Sequence, residues 1–333
     1  MKRISLSHLL EDGRWQCDLC PHRCMLRQGQ TGLCHVRRAT PDGIRSLVYG
    51  EPVATHVDPI EKKPLYHFFP GSRIYSLGTL GCNLRCRGCQ NDSLSRAAYV
   101  PMGSKVSAER VVDAARDAGC SMIAYTYNEP VVWAEYAYDI ACAAKKAGLL
   151  NVLVSAGYVR QEVLPWFLEP FDAANIDLKG FSEAFYRSWA NGTLEDVLNT
   201  LVYMHAKPGF WLEVTTLVIP GINDSDEMLC SEFEWLVSHL GCDVPLHLSA
   251  FHPACEALDI EPTSPAVIVH ASELARKAGL RFVYPGNVPL ETATRCDVCD
   301  AELIRRFGFR TQIVGMKDGA CAKCGHRVSG IWH

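Results

Sequence analysis

The sequence predicts an α/β protein of six or seven consecutive strand–helix units, forming a barrel or an open doubly wound sheet, with cysteine-bearing extensions at both ends. Three observations carry this. From about residue 73, short β-branched or aromatic runs alternate with longer amphipathic stretches. The distinctive polar residues fall just after those runs, where both architectures place their chemistry. The third is cysteine usage: eleven of the 16 cysteines gather as Cys17, Cys20, Cys24 and Cys34, then Cys82, Cys86 and Cys89, then Cys296, Cys299, Cys321 and Cys324.

The predicted strands are RIYSLGTL (73–80), SMIAYTY (121–127), NVLVSA (151–156), AANIDLK (173–179), WLEVTTLVI (211–219) and PLHLSAF (245–251), with LRFVY (280–284) as a seventh. Apolar residues at three- and four-residue spacing predict helices over 107–118, 130–147, 160–168, 193–206, 225–240 and 264–278. Ser107, Thr193 and Ser225 stand where N-caps belong, and Gly148 and Gly279 where helices stop. The three-cysteine group follows the first strand, NEP the second, SAG the third and PGIND the fifth, while DLKG ends the fourth and HP follows the sixth. Residues 1–72 and 287–333 have a different, turn-rich texture and are predicted as extensions of a core over 73–286.

Composition bounds the class. With 333 residues, 48% apolar, 21% charged and a mean hydropathy of −0.01, the chain can bury a sizeable core and is not disordered. No apolar run approaches the ~18 residues of a membrane span. The opening MKRISLSHLLEDGR reaches charge too soon for a signal peptide, so a cytoplasmic location is expected. In that compartment, cysteine groups suggest metal ligation more than disulfides. The five scattered cysteines, Cys120, Cys142, Cys230, Cys242 and Cys255, read as small buried hydrophobes.

GCNLRCRGCQN sets Cys82, Cys86 and Cys89 in C-x3-C-x2-C spacing on a loop after a strand. An ordinary [4Fe-4S] cluster takes four protein thiolates, so a local set of three implies one iron open to another ligand. The plainer alternatives are an incomplete zinc site or three buried thiols. Cys296-x2-Cys299 and Cys321-x2-Cys324, 21 residues apart, have the spacing of a closed structural zinc site, with iron as the alternative metal. The N-terminal set, C-x2-C-x3-C-x9-C, suits an auxiliary [4Fe-4S] cluster or zinc, and spacing does not separate them.

In this order the motifs resemble the radical S-adenosylmethionine (SAM) superfamily, in the branch of the pyruvate formate-lyase activating enzymes, and most closely the radical SAM enzyme of the AmmeMemoRadiSam system. Carrying the resemblance are CDLCPHRC with GLCHVRR, DPIEKKPLYHFFPGS, GCNLRCRGCQN, YTYNEP, VSAGYV, NIDLKGF, TTLVIPGINDS, SAFHP, VYPGNV and the two CxxC pairs, spanning nearly the whole chain. It implies a partial (β/α)6-type TIM barrel whose open iron chelates S-adenosylmethionine and cleaves it reductively to a 5′-deoxyadenosyl radical. It also implies an electron donor such as flavodoxin or ferredoxin, and a protein substrate or a Memo-like partner. One departure stands out: Gly88 occupies the position before the third cysteine, where the family usually has an aromatic residue that packs on adenine.

By the same resemblance, Asn128, Glu129 and Pro130 match the segment that contacts the methionine amino group. Alone, Pro130 would read as a helix start. Ser155 and Gly157 would approach the ribose or carboxylate, although alone SAG reads as a turn. Asp177 and Lys179 match the Asp-x-Lys element and share one face of a strand; a plain buried ion pair is the alternative. His252 corresponds to a histidine near cofactor or substrate, and Asn287 and Val288 to a backbone contact with the adenine edge. A glycyl-radical-enzyme activating enzyme is the alternative within this class. A zinc-ribbon nucleic-acid-binding protein is the alternative outside it, suggested by eight Lys/Arg against four Asp/Glu in residues 1–50. The net charge of −4 weighs against nucleic acid.

Overall fold

The computed structural model describes residues 6–101 and 103–332. Its centre is one eight-stranded sheet in sequence order: β1 (Ala54–Pro59), β2 (Arg73–Gly78), β3 (Met122–Tyr125), β4 (Leu150–Ser155), β5 (Ala173–Asp177), β6 (Trp211–Val218), β7 (Leu246–Ala250) and β8 (Val283–Gly286). β1 runs antiparallel to β2, and β2 to β8 are mutually parallel. β1 and β8 form the two edges, so the sheet is open. It nonetheless curls, because residues on or just after all seven parallel strands border one cavity.

Long crossovers return each parallel strand to the same end of the sheet. They contain α1 (Ala108–Asp117), α2 (Ala134–Lys146), α3 (Leu194–Ala206), α4 (Asp226–Leu240) and α5 (Pro265–Lys277). After β4 the expected helix over 160–168 shrinks to the single turn Leu164–Phe167. Ser107, Ser225 and Ser264 cap their helices, accepting from the N–H three residues on. Thr193 sits at the N-cap of α3 without bonding its backbone; the Glu183 carboxylate takes the Leu194 and Glu195 N–H groups instead.

Alternation along the strands sorts the core. Ile123, Tyr125, Leu153, Ile176, Val214 and Leu248 face outward under the helices. Met122, Ala124, Val152 and Ala173 face inward and meet Ile60, Leu65 and Phe68, which plug the N-terminal end of the curl. The segment expected to lie outside the core, residues 54–72, thus supplies an edge strand and the floor. Glu213 on β6 holds that floor, accepting from the backbone of Tyr66 and His67 and from Trp211 Nε1 and His247 Nε2 at 2.6–3.0 Å. Burial would raise its pKa, but these donors hold it below the ordinary range.

The C-terminal extension is a three-stranded antiparallel ribbon over Thr292–Ile313 followed by a short hairpin, Met316–Cys321. Buried Arg306 anchors it to the floor, donating to the Tyr66 carbonyl at 2.7 Å and lying over the Tyr66 ring. No helix among the described residues is long and apolar enough to cross a membrane.

Candidate active site

The loop after β2 is set by close approaches. A Cβ on Gly78 would lie 2.5 Å from the Thr126 carbonyl, and one on Gly81, at φ +87°, 2.5 Å from the Cys34 carbonyl. Asn128 clamps the same loop: Oδ1 accepts from Thr79 N at 2.9 Å, and Nδ2 donates to the Gly81 carbonyl at 2.8 Å. Its amide is therefore committed to positioning the loop. Further on, Arg85 N and Arg87 N donate to the Ala190 and Trp189 carbonyls, and Arg96 donates to the Cys86 carbonyl.

Cys82, Cys86 and Cys89 border the cavity at the C-terminal ends of the strands. Burial raises the Cys82 thiol and pushes Cys86 up to about 11, with the Lys179 cation opposing the latter. A metal that takes the thiolates would displace the protons that burial favours on Cys82 and Cys86. Three sulfurs in one loop, facing a cavity, suit a [4Fe-4S] cluster with one iron left open.

Across the cavity, buried Glu129 accepts from Ser155 Oγ at 2.6 Å and Val131 N at 3.1 Å on one oxygen, and from Ala156 N at 2.8 Å on the other. Burial raises its pKa against these three donors. Asp177 and Lys179, at the end of β5, pair at 2.7 Å. Burial alone would lower the lysine, but Asp177 and the neighbouring thiols raise it, so it carries its charge. Asn287 donates to Ser249 Oγ at 2.9 Å and lines the same cavity.

Of the residues singled out in the sequence, Cys82, Cys86, Cys89, Asn128, Glu129, Ser155, Asp177, Lys179 and Asn287 are brought together there, and Pro130, Gly157, His252 and Val288 are not. Pro130 opens a buried 3-10 turn behind Glu129. Gly157, at φ +67°, turns the chain against Ile176 on the outer face. His252 is exposed beyond the end of β7, whose inward alternation brings Ser249 to the cavity instead. Val288 packs on the outer core.

Trp189, Thr215, Leu217 and Ser249 line the cavity without having been singled out. Period-two alternation along β6 and β7 marks the last three. Trp189 sits on a π-turn, Tyr186–Ala190, for which sequence offers no signal. It accounts for Gly88: a Cβ there would lie 2.8 Å from the Phe251 ring and 3.3 Å from that of Trp189. The room a side chain at 88 would need is already occupied by aromatics from two other segments.

The C-terminal quartet lies at the far end of the molecule, in the ribbon. Cys296 and Cys324 sulfurs are 3.6 Å apart, as are those of Cys299 and Cys321, and all four lie within 4.8 Å of one another.

A strand-end site with three thiols on one loop of an open, curled, mostly parallel sheet defines a class, and sequence comparison agrees with it. The family model of the Radical SAM superfamily matches residues 77–232, and the chain belongs to that superfamily. An uncharacterised protein of Methanocaldococcus jannaschii is 36% identical over 334 residues, covering 98% of this chain and 99% of its own. A radical SAM methyltransferase from Sphaerobacter thermophilus shares the fold at TM-score 0.51 and 13% identity, over 85% of this chain and 77% of that one. A domain of a pyruvate-formate lyase-activating enzyme from Bacteroides vulgatus is similar at TM-score 0.44 and 17% identity, over 49% of this chain and 98% of that one. Membership implies a [4Fe-4S] cluster and S-adenosylmethionine as the enzyme's reagents.

Proposed function

We propose that this enzyme holds its cluster through Cys82, Cys86 and Cys89 and uses S-adenosylmethionine to abstract a hydrogen atom from a protein or peptide substrate. The observation that carries the reading is one cavity bordered by the three thiols, the Glu129 carboxylate and the Asp177–Lys179 pair. When bound, the cluster supplies the electron that splits the sulfonium and releases a 5′-deoxyadenosyl radical.

The chain's part is to hold and orient the cofactor. Glu129 has one oxygen with a single protein donor, which leaves it an acceptor site for an ammonium-derived N–H. Lys179 gives one of its three N–H groups to Asp177, so others are free for a carboxylate or a ribose oxygen. Asn287 supplies backbone at the adenine edge, and Trp189, which lines the cavity beside Gly88, supplies the apolar wall that an aromatic at position 88 would otherwise form.

The C-terminal quartet is read as structural zinc, because four thiolates at about 2.3 Å from one ion stand about 3.8 Å apart. That ribbon and the N-terminal cysteines favour the AmmeMemoRadiSam reading, with a Memo-like partner, over a plain glycyl-radical activating enzyme. A flavodoxin or ferredoxin in the cytoplasm would serve as electron donor.

The test is electron paramagnetic resonance on anaerobically reconstituted protein. A reduced [4Fe-4S] signal is expected that changes when S-adenosylmethionine is added and is lost in Cys82→Ala/Cys86→Ala/Cys89→Ala. Glu129→Ala and Asp177→Ala are expected to keep their iron yet bind or cleave S-adenosylmethionine at least ~10-fold less well, one charge-assisted contact being involved in each. Wild-type titration calorimetry and 5′-deoxyadenosine yield in both variants would assign those carboxylates to structure.

A further inference from the structure

The three cysteine groups differ in how tightly they are drawn together. Among the described residues, the C-terminal quartet is the group of three or more ligand atoms gathered within 4.8 Å, the spacing of thiolates on a single tetrahedral ion. The cluster loop, Cys82, Cys86 and Cys89, is not so gathered, as befits thiolates that bind separate irons of one cubane. Nor is the N-terminal set, although Cys17, Cys20, Cys24 and Cys34 all line one small cavity. Four thiolates on one zinc ion would stand about 3.8 Å apart, a gathering this set does not have.

Buried Arg37 lines the same cavity, gives both terminal nitrogens to Glu135 at 2.7 and 2.8 Å, and leaves Nε without a partner. An unpaired buried donor is costly unless a ligand accepts from it. The sulfides of a negatively charged cluster are such acceptors.

This cavity also touches the cluster loop. Asn83, between Cys82 and Leu84, lines it, and His22 Nε2 donates to the Asn83 carbonyl at 2.7 Å. On the other side of Cys82, Gly81 packs against the Cys34 carbonyl.

We propose that Cys17, Cys20, Cys24 and Cys34 hold a second [4Fe-4S] cluster, fully ligated by protein, through which electrons reach the catalytic site. Four protein thiolates leave no open iron for substrate, so electron transfer is the role that remains. A one-electron protein donor, a reduced flavodoxin or ferredoxin, would lower the second cluster from the 2+ to the 1+ state. That cluster would return to 2+ by passing the electron to the catalytic one, with no bond made or broken.

The proposal rests on the radical SAM reading for its role but not for its metal, and the experiment separates the two. Cys82→Ala/Cys86→Ala/Cys89→Ala, reconstituted anaerobically, is expected to retain about four irons and four sulfides per chain, with a reduced-state signal indifferent to S-adenosylmethionine. An iron-free variant carrying two zinc ions per chain would overturn the proposal while leaving the catalytic reading intact. The complementary variant, Cys17→Ser/Cys20→Ser, is expected to keep the S-adenosylmethionine-sensitive signal under dithionite. Its remaining cluster should be reduced by flavodoxin semiquinone or hydroquinone at least about tenfold more slowly than in the parent. Equal rates with the protein donor would remove the relay. Retained zinc in the C-terminal quartet reports that each variant is folded.

Discussion

Gly88 is where a single residue's chemistry is decided by its neighbours. A phenylalanine or tyrosine there would drive its Cβ into Phe251 and Trp189, whose rings are packed and cannot both retreat. Gly88→Phe is therefore expected to cost about 1–3 kcal/mol in denaturant unfolding, the range for overpacking a filled site. In a Phe251→Ala background the same substitution should cost much less, a coupling read from the double-mutant cycle, and a neutral single variant would contradict the contact. The glycine is visible in the sequence as a departure from the family pattern. Its compensation is not, because Trp189 and Phe251 lie about 100 and 160 residues downstream on a π-turn and a strand end.

At the scale of elements, α4 carries a buried acid against the sheet. Glu232 accepts from Thr216 Oγ1 on β6, and burial pushes its pKa up to about 8. The folded protein therefore holds a proton between about pH 4.5 and 8 that the unfolded chain has released, so stability falls as pH rises through that window. Glu232→Gln keeps the shape and removes the ionisation. It is expected to flatten this part of the pH–stability curve and to raise stability at pH 8.5 by at least about 1 kcal/mol, measured by thermal unfolding across pH. A second prediction concerns α3, whose first N–H groups are taken by Glu183 from another segment. Glu183→Ala should cost about 0.5–2 kcal/mol, the range for a lost cap. Sequence pattern placed the start of this helix at the right residue but assigned the cap to Thr193, since a cap borrowed from elsewhere has no local signature.

For the whole molecule, the ribbon and the floor segment brace each other. Arg306 reaches the Tyr66 carbonyl, Thr311 Oγ1 donates to Glu61 at 2.6 Å, and the His67 ring pairs with the Ser329 carbonyl. Metal in the C-terminal quartet would hold this brace shut. Cys321→Ser is expected to lose about one zinc per chain and to lower Tm, while the iron content and the signal from the catalytic loop persist. Zinc content equal to wild type in that variant would refute the site. Loss of iron along with zinc would show that the floor and the catalytic mouth are coupled through the sheet.

The sequence by itself determined the succession of strands and helices, the ends of the strands as the place for chemistry, and the three cysteine groups with their spacing. These are local matters: period, turn residues and the reach of a short loop. Tertiary structure alone decided what depends on distant segments meeting. It brought residues 54–72 into the sheet and its floor, committed the Asn128 amide to the cluster loop, and left His252 outside the cavity. It also gathered one cysteine quartet to the spacing of a single ion while holding the other open around a cavity beside Cys82. Each of these turns on the direction in which a side chain points and on what stands opposite it, and neither is encoded in spacing along the chain.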